Sequence, residues 1–329
     1  MQRISILDGW RALSISLVLA GHLLPLGPKA WELNSASAAA GMALFFTLSG
    51  FLITQFLIVR PDIRSFLMRR LFRILPLAWS AMIALAVFDR ADMHTIVANL
   101  LFYSNLPPSP LFYGGEHLWS LCVEVQFYIG VALLVAIGGR RALWLLPVLC
   151  LAVTAIRIAQ GAMISIYTWQ RVDEILAGAT LALFFHHRAD ATPRLLPTIT
   201  PVLLLPVLLA SSHEAMGALT YARPYISAAA VGASLYAAPV WFRRLLESAV
   251  ARYVADISYA LYVFHGMFNA TWLGSGDTFA RYAKRPLLFA ATFAAAHAST
   301  RWFERPMIGL GKRIERRGDR RRVELAAGA

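Results

Sequence analysis

Apolar residues in this chain gather into long runs instead of following a half-buried helical or alternating pattern. Ten such runs are legible, at approximately residues 12–26, 41–59, 71–88, 118–137, 142–158, 175–185, 195–210, 222–240, 254–272 and 286–303. A helix needs about 20 mostly apolar residues to cross roughly 30 Å of hydrocarbon. The sixth run is short, and 95–103 is a partial run suited to a half-helix lying in the membrane interface. The pattern predicts an all-α, polytopic transmembrane helix bundle of about ten spans over residues 1–310, followed by a basic cytoplasmic tail, 311–329. It shows no repeat of fixed period and no separate soluble domain.

Composition agrees. Of 329 residues, 58% are hydrophobic and 15% charged, against 45–50% and about 25% in ordinary soluble domains. Such a chain is neither disordered nor a disulfide scaffold. Its two cysteines, Cys122 and Cys150, lie inside apolar runs and read as small core residues. The net charge of +13 would suggest nucleic acid in a soluble protein, but here the basic residues sit between the runs. That is a topological signal, and no nucleic-acid partner is expected. A cytoplasmic N-terminus puts 22 of 31 basic residues inside, Arg3, Arg188 and Arg194 among them, with eight outside and Arg301 in the last run. Both termini are then cytoplasmic and the span number even. A signal peptide cleaved near Ser35-Ala36-Ser37-Ala38 is the competing reading. Asp8 in the basic start, His22 in the apolar run and the remoteness of the small-residue cluster speak against it. The tail from Lys312 to Ala329 suits anionic lipid headgroups.

Polar residues are costly in lipid and so mark functional candidates. In the first run, Arg11 and His22 are eleven residues apart, three turns plus about 20°, on one helix face and separated by roughly 16 Å. The Arg11 fork at the cytoplasmic mouth suits phosphate oxygens, and the His22 imidazole can relay a proton or activate a hydroxyl. The plainer alternative is a snorkelling arginine and a histidine bonded to a neighbouring helix. Glu124 falls at a depth similar to His22, so the two are expected to couple as base and orienting acid; a single structural partner for Glu124 is the alternative. Arg70 and Arg73 are i,i+3 neighbours at the inner boundary, a cluster that topology alone would also explain. Arg171 and Asp173, at the outer start of the sixth run, read either as an ion pair or as lining of an acceptor cleft. His265 reads as packing more than chemistry, and Glu304 as half of a pair. His186-His187 lacks the partners a zinc site needs, and there is no metal-ligand spacing, phosphate loop or nucleophile elbow.

In this order the motifs resemble the acyltransferase-3 family of integral membrane acyltransferases. The likeness rests on Leu7-Asp8-Gly9-Trp10-Arg11 with His22, on residues 41–53, and on Arg69-Arg70-Leu71-Phe72-Arg73-Ile74-Leu75-Pro76. It continues through residues 119–128, Arg171-Val172-Asp173 with Gly178, Ser258-Tyr259-Ala260-Leu261-Tyr262 with His265, and Phe303-Glu304-Arg305-Pro306. Trp10 and Val125 depart from the family pattern, at a position usually smaller or aliphatic and at one usually acidic. The resemblance implies transfer of an acyl group, usually acetyl, from cytoplasmic acyl-CoA (acetyl-CoA) to a hydroxyl of an extracytoplasmic or lipid-linked carbohydrate, in a bacterial inner membrane. No metal is implied. Arg11, Arg70 and Arg73 would hold the CoA phosphates, and His22 would be general base or transient acyl carrier. Glu124 would fix the His22 tautomer, and Trp119, Ser120, Arg171 and Asp173 would line the acceptor. Some members carry a fused extracytoplasmic esterase-like domain; this chain is expected to finish the transfer alone or to pass the acyl group on. The competing class is a transporter or flippase of a polyanion or lipid-linked sugar, against which stands the lack of an inverted repeat.

Overall fold

The computed structural model describes residues 4–187 and 197–327, with side chains as far as 317. Arg3, Arg188, Arg194, the start of the seventh run and the side chains of Arg320 to Arg322 therefore lie outside the described residues. All regular structure among the described residues is helical. The α-helices are α1 (Ser5–Leu23), α2 (Leu33–Val59), α3 (Ile63–Asp89), α4 (Met93–Leu100), α5 (Trp119–Gly138), α6 (Leu146–Ala159), α7 (Thr168–Arg171) and α8 (Asp173–His187). There follow α9 (Thr200–Ser211), α10 (Arg223–Tyr236), α11 (Val240–Leu246), α12 (Ala249–Asn269), α13 (Thr278–Ala283), α14 (Arg285–Ser299) and α15 (Arg305–Ala327).

Each of the ten apolar runs falls on a helix: α1, α2, α3, α5, α6, α8, α9, α10, α12 and α14. The partial run falls on α4. Three stretches, Leu33–Val59, Ile63–Asp89 and Glu116–Ala159, are long and apolar enough to cross a membrane on their own. By contrast α8, α9, α10 and α14 have 12 to 15 residues, short of the ~20 needed. Their apolar sequence continues into tighter or wider turns, such as 3-10 turns over Glu214–Ala222 before α10 and a π-helical turn over Thr300–Glu304 after α14.

The core is built around α2, which is apolar on all sides and so buries its whole circumference. Small residues let its neighbours approach closely. Gly50 faces the backbone of Ile175 on α8, and Gly178 on α8 faces the backbone of Thr47, so a methyl at either would strike a carbonyl. Hydroxyls tie the layer together: Ser14 donates to the Gly41 carbonyl at 2.8 Å, and Thr47 and Ser227 share a 2.5 Å hydrogen bond. Trp10, fully buried, donates from its indole to Ser234 at 2.7 Å and meets the Phe242 ring edge-on. That contact pins α1 to α10 and α11. On α3, the Asp62 carboxylate accepts the Ser65 amide at 3.3 Å and caps the helix that carries the arginine cluster.

The packing gathers ionisable residues around two separate cavities. Arg11, Arg73, Asp256, Glu304 and Arg305 line one cavity. His22, Glu116 and His117 line another, which shares no residue with the first.

Candidate active site

At the Arg11 end, three adjoining cavities of about 420, 260 and 50 Å³ share their walls. Arg73 lines all three, Arg11 the first and third, and Arg70 the second and third. The i,i+3 spacing on α3 thus does aim Arg70 and Arg73 at one space, which α1 completes with Arg11. The second cavity is walled by Arg69, Arg70, Arg73 and Lys312 with no acidic residue. Arg69 is held by Glu315 of α15, with Nη2 to Oε1 at 2.9 Å, whereas Arg70 and Arg73 join none of the ion pairs among the described residues. Arg70 also lies over the Tyr128 ring, 5.9 Å from its centroid; guanidinium forks without a carboxylate partner around an open volume are suited to phosphate oxygens. Lys312 was not anticipated as part of this wall, because it belongs to a tail that reads as a generic basic end.

Glu124 lies in the innermost of these cavities, with Arg11, Arg70 and Arg73. Its carboxylate accepts from Tyr128 at 2.5 Å and from Ser49. This corrects the expected His22–Glu124 couple. His22 sits in the last turn of α1, at the far mouth, whereas Glu124 is seven residues beyond His117 along α5, about 10 Å of helix rise toward the arginines. The two residues line different cavities.

The far cavity, about 650 Å³, is lined by His22, Glu116, His117, Trp119 and His265, among others. His22 remains exposed there, while His117 and His265 are buried behind it. His22 Nδ1 lies 2.8 Å from His265 Nε2, the two rings being nearly parallel. His117 packs against His265 with ring centroids 4.5 Å apart. The cost of polar groups in lipid, which singled out His22, applies equally to His265 and His117. From sequence His265 reads as packing, and nothing local in the chain joins it to His117 or His22. Among the described residues no group of three or more His, Cys, Asp or Glu could hold a metal ion.

Of the four acceptor candidates, Trp119 lines this cavity and the other three do not. Ser120 is fully buried and shares a 2.6 Å hydrogen bond with Tyr262. Arg171 lies behind the Trp119 ring, 5.5 Å from its centroid, and pairs with Glu174, Nε to Oε2 at 3.4 Å. Asp173 is paired with Arg157 at 2.6 Å, and Glu174 also takes Arg223 at 2.7 Å. The expected Arg171–Asp173 pair is replaced by these crossed ones, because Arg171 and Glu174 are i,i+3 neighbours across the α7–α8 junction. Buried ions of this kind are tolerated only when paired.

A helical bundle with stretches long and apolar enough to cross a membrane, enclosing a chamber lined by guanidinium groups and a second one lined by imidazoles, defines the class as an integral membrane protein. The sequence comparison gives the class its family. Residues 4–299 match the family model described as an acyltransferase domain, and the chain belongs to this acyltransferase-3 family. The chain is 31% identical over 230 residues to "Putative peptidoglycan O-acetyltransferase YrhL" of Bacillus subtilis, an alignment covering 57% of this chain and 34% of that protein. Peptidoglycan O-acetyltransferase OatA of Listeria monocytogenes is 22% identical over 359 residues, 92% of this chain and 55% of the relative. The chain thus spans between a third and about half the length of these relatives. No solved structure matches it.

Proposed function

We propose that this protein is an O-acyltransferase, acting with acetyl groups, that moves an acyl group from cytoplasmic acyl-CoA to a hydroxyl of an extracytoplasmic or lipid-linked carbohydrate. It works with ten spans and both termini in the cytoplasm, in a bacterial inner membrane. The observation that carries the reading is the placement of Arg11 and His22 at opposite mouths of one helix, each opening on its own cavity. Arg11, Arg70 and Arg73 hold the CoA phosphates. Glu124, fixed by Ser49 and Tyr128, balances their charge. The pantetheine arm spans the roughly 16 Å along α1, passing Phe45 and Tyr262, whose stacked rings lie 6.1 Å apart between the two chambers. His22 accepts the proton of the acceptor hydroxyl as its oxygen attacks the thioester carbonyl. The carbon–sulfur bond breaks, and the CoA thiolate leaves and takes up a proton. Trp119 offers a ring face to the sugar, with Arg171 behind it.

The names of the relatives favour a cell-wall carbohydrate as acceptor, and neither family nor relatives favour a carrier. Sealed, right-side-out vesicles test the reading. Acyl-CoA is expected to work only when loaded inside, and a water-soluble glycan acceptor only when added outside. Efficient transfer with both substrates outside intact vesicles refutes it.

A further inference from the structure

The histidine cluster contains a proton-ordering device, read from which atoms can only accept. His265 Nδ1 lies 2.6 Å from the Tyr262 carbonyl oxygen. A carbonyl cannot donate, so this Nδ1 carries the hydrogen. A neutral imidazole has one N–H, which leaves His265 Nε2 as a lone pair. That lone pair is 2.8 Å from His22 Nδ1, which must therefore donate. A second proton on His265 would put a cation against two imidazoles, His22 and His117, with ring centroids 5.0 and 4.5 Å away. The ion pairs among the described residues include none of the three rings, and Glu116, the carboxylate that shares their cavity, pairs with none of them. His117 cannot take over the task. Its Nε2 is committed to the Val263 carbonyl at 3.1 Å, and its Nδ1 edge is walled by Gly266.

We propose that His265 is a positioning residue that holds His22 as the Nδ1–H tautomer, so that His22 Nε2 faces the acceptor hydroxyl as the free lone pair. The chain of command runs from the Tyr262 carbonyl through His265 to His22, and it does with a neutral imidazole what a buried carboxylate does for a catalytic histidine elsewhere. The proposal rests on the reading of His22 as base, and a readout of the tautomer separates the two.

The experiment uses the full chain, purified in detergent with 15N-labelled histidine, and His22→Ala to assign the His22 resonances. Nitrogen shifts are expected to show His22 as Nδ1–H in the wild type. In His265→Leu this tautomer should be lost and turnover should fall roughly 10²-fold or more, towards the ~10⁴-fold that a wrong tautomer of the base costs a Ser-His-Asp triad. The KM for acyl-CoA should change little. His265→Gln, whose side-chain oxygen can accept the same proton, should restore the Nδ1–H form and most of the turnover. A wild-type His22 protonated at Nε2 overturns the proposal, and needs no variant to fold. So does a folded His265→Gln protein as slow as His265→Leu. Failure of the wild type to consume acyl-CoA, with His22 still Nδ1–H, sinks the functional reading and leaves the tautomer assignment standing.

Discussion

Two sets of three arginines sit at the two ends of this molecule, and they are used in opposite ways. Arg157, Arg171 and Arg223 are at most 2% exposed and share two carboxylates, Asp173 and Glu174. Arg11, Arg70 and Arg73 border open cavities, and the latter two have no ion-pair partner among the described residues. Carboxylates occur at both ends, since Glu124, Asp256 and Glu304 line the cavities of the second set, but among the described residues only in the first set do they pair with the arginines. Counting arginines or carboxylates does not tell the two apart; the pairing does.

Substitutions should separate the two sets. The largest effect is expected for Asp173→Ala, which leaves Arg157 buried and uncompensated; breaking such a pair costs about 3–5 kcal/mol. Thermal unfolding in detergent should show a large drop in stability or loss of the monodisperse protein, and a near-native melting curve would contradict the architectural role. Next comes His22→Ala, with turnover down roughly 10²-fold or more, the scale for general-base loss, while melting and donor binding stay near wild type. Arg73→Ala should weaken acyl-CoA binding by about 10- to 100-fold, since a hydrogen bond to a charged group contributes ~1.5–3 kcal/mol, and should leave the melting curve in place. If instead Arg73→Ala melts early with unchanged donor affinity, the two sets are not different in kind. The smallest effect belongs to Glu315→Gln, whose carboxylate is buried but whose partner Arg69 is 41% exposed; a pair open to water on one side contributes about 1 kcal/mol. Burial works to raise the Glu315 carboxyl, but the hydrogen bonds from Arg69 and Ser65 outweigh it and hold the group below the ordinary Glu value. Its contribution is therefore complete above that ordinary value and is lost as the pH falls through the lower folded one. Melting midpoints of wild type and Glu315→Gln should converge on acidification.

The part of this fold legible in the sequence is the part written locally. Apolar runs placed ten helices and the half-helix α4, because hydrocarbon demands length and little else. Arg70 and Arg73 were visible as a pair because one helix turn joins them, and Arg11 and His22 because one helix face does. Across helices, the convergence of Arg11 on α1 with Arg70 and Arg73 on α3 held, but the pairings of single side chains did not. Glu124 was matched to His22 by depth alone, without knowing that α1 stops at Leu23 and leaves His22 at the mouth. His117 and His265 are 148 residues apart, and no periodicity joins them to each other or to His22. Glu174 was overlooked beside Asp173, although the short α7 turns Arg171 toward it. Close packing decides such meetings, as where Gly266 leaves the room that the His117 ring occupies, and a glycine in an apolar run gives no sign of which group it will touch.

The π-helical turn at Thr300–Glu304 joins α14 to α15 without a loop, so the chain runs as one helical rod from Arg285 to Ala327. Lys312, in the wall of the guanidinium cavity, stands eight residues along this rod from Glu304, a lever arm of about 12 Å. A swing of ~5° at the π turn moves the ammonium-bearing segment by about 1 Å, the difference between a hydrogen bond and none.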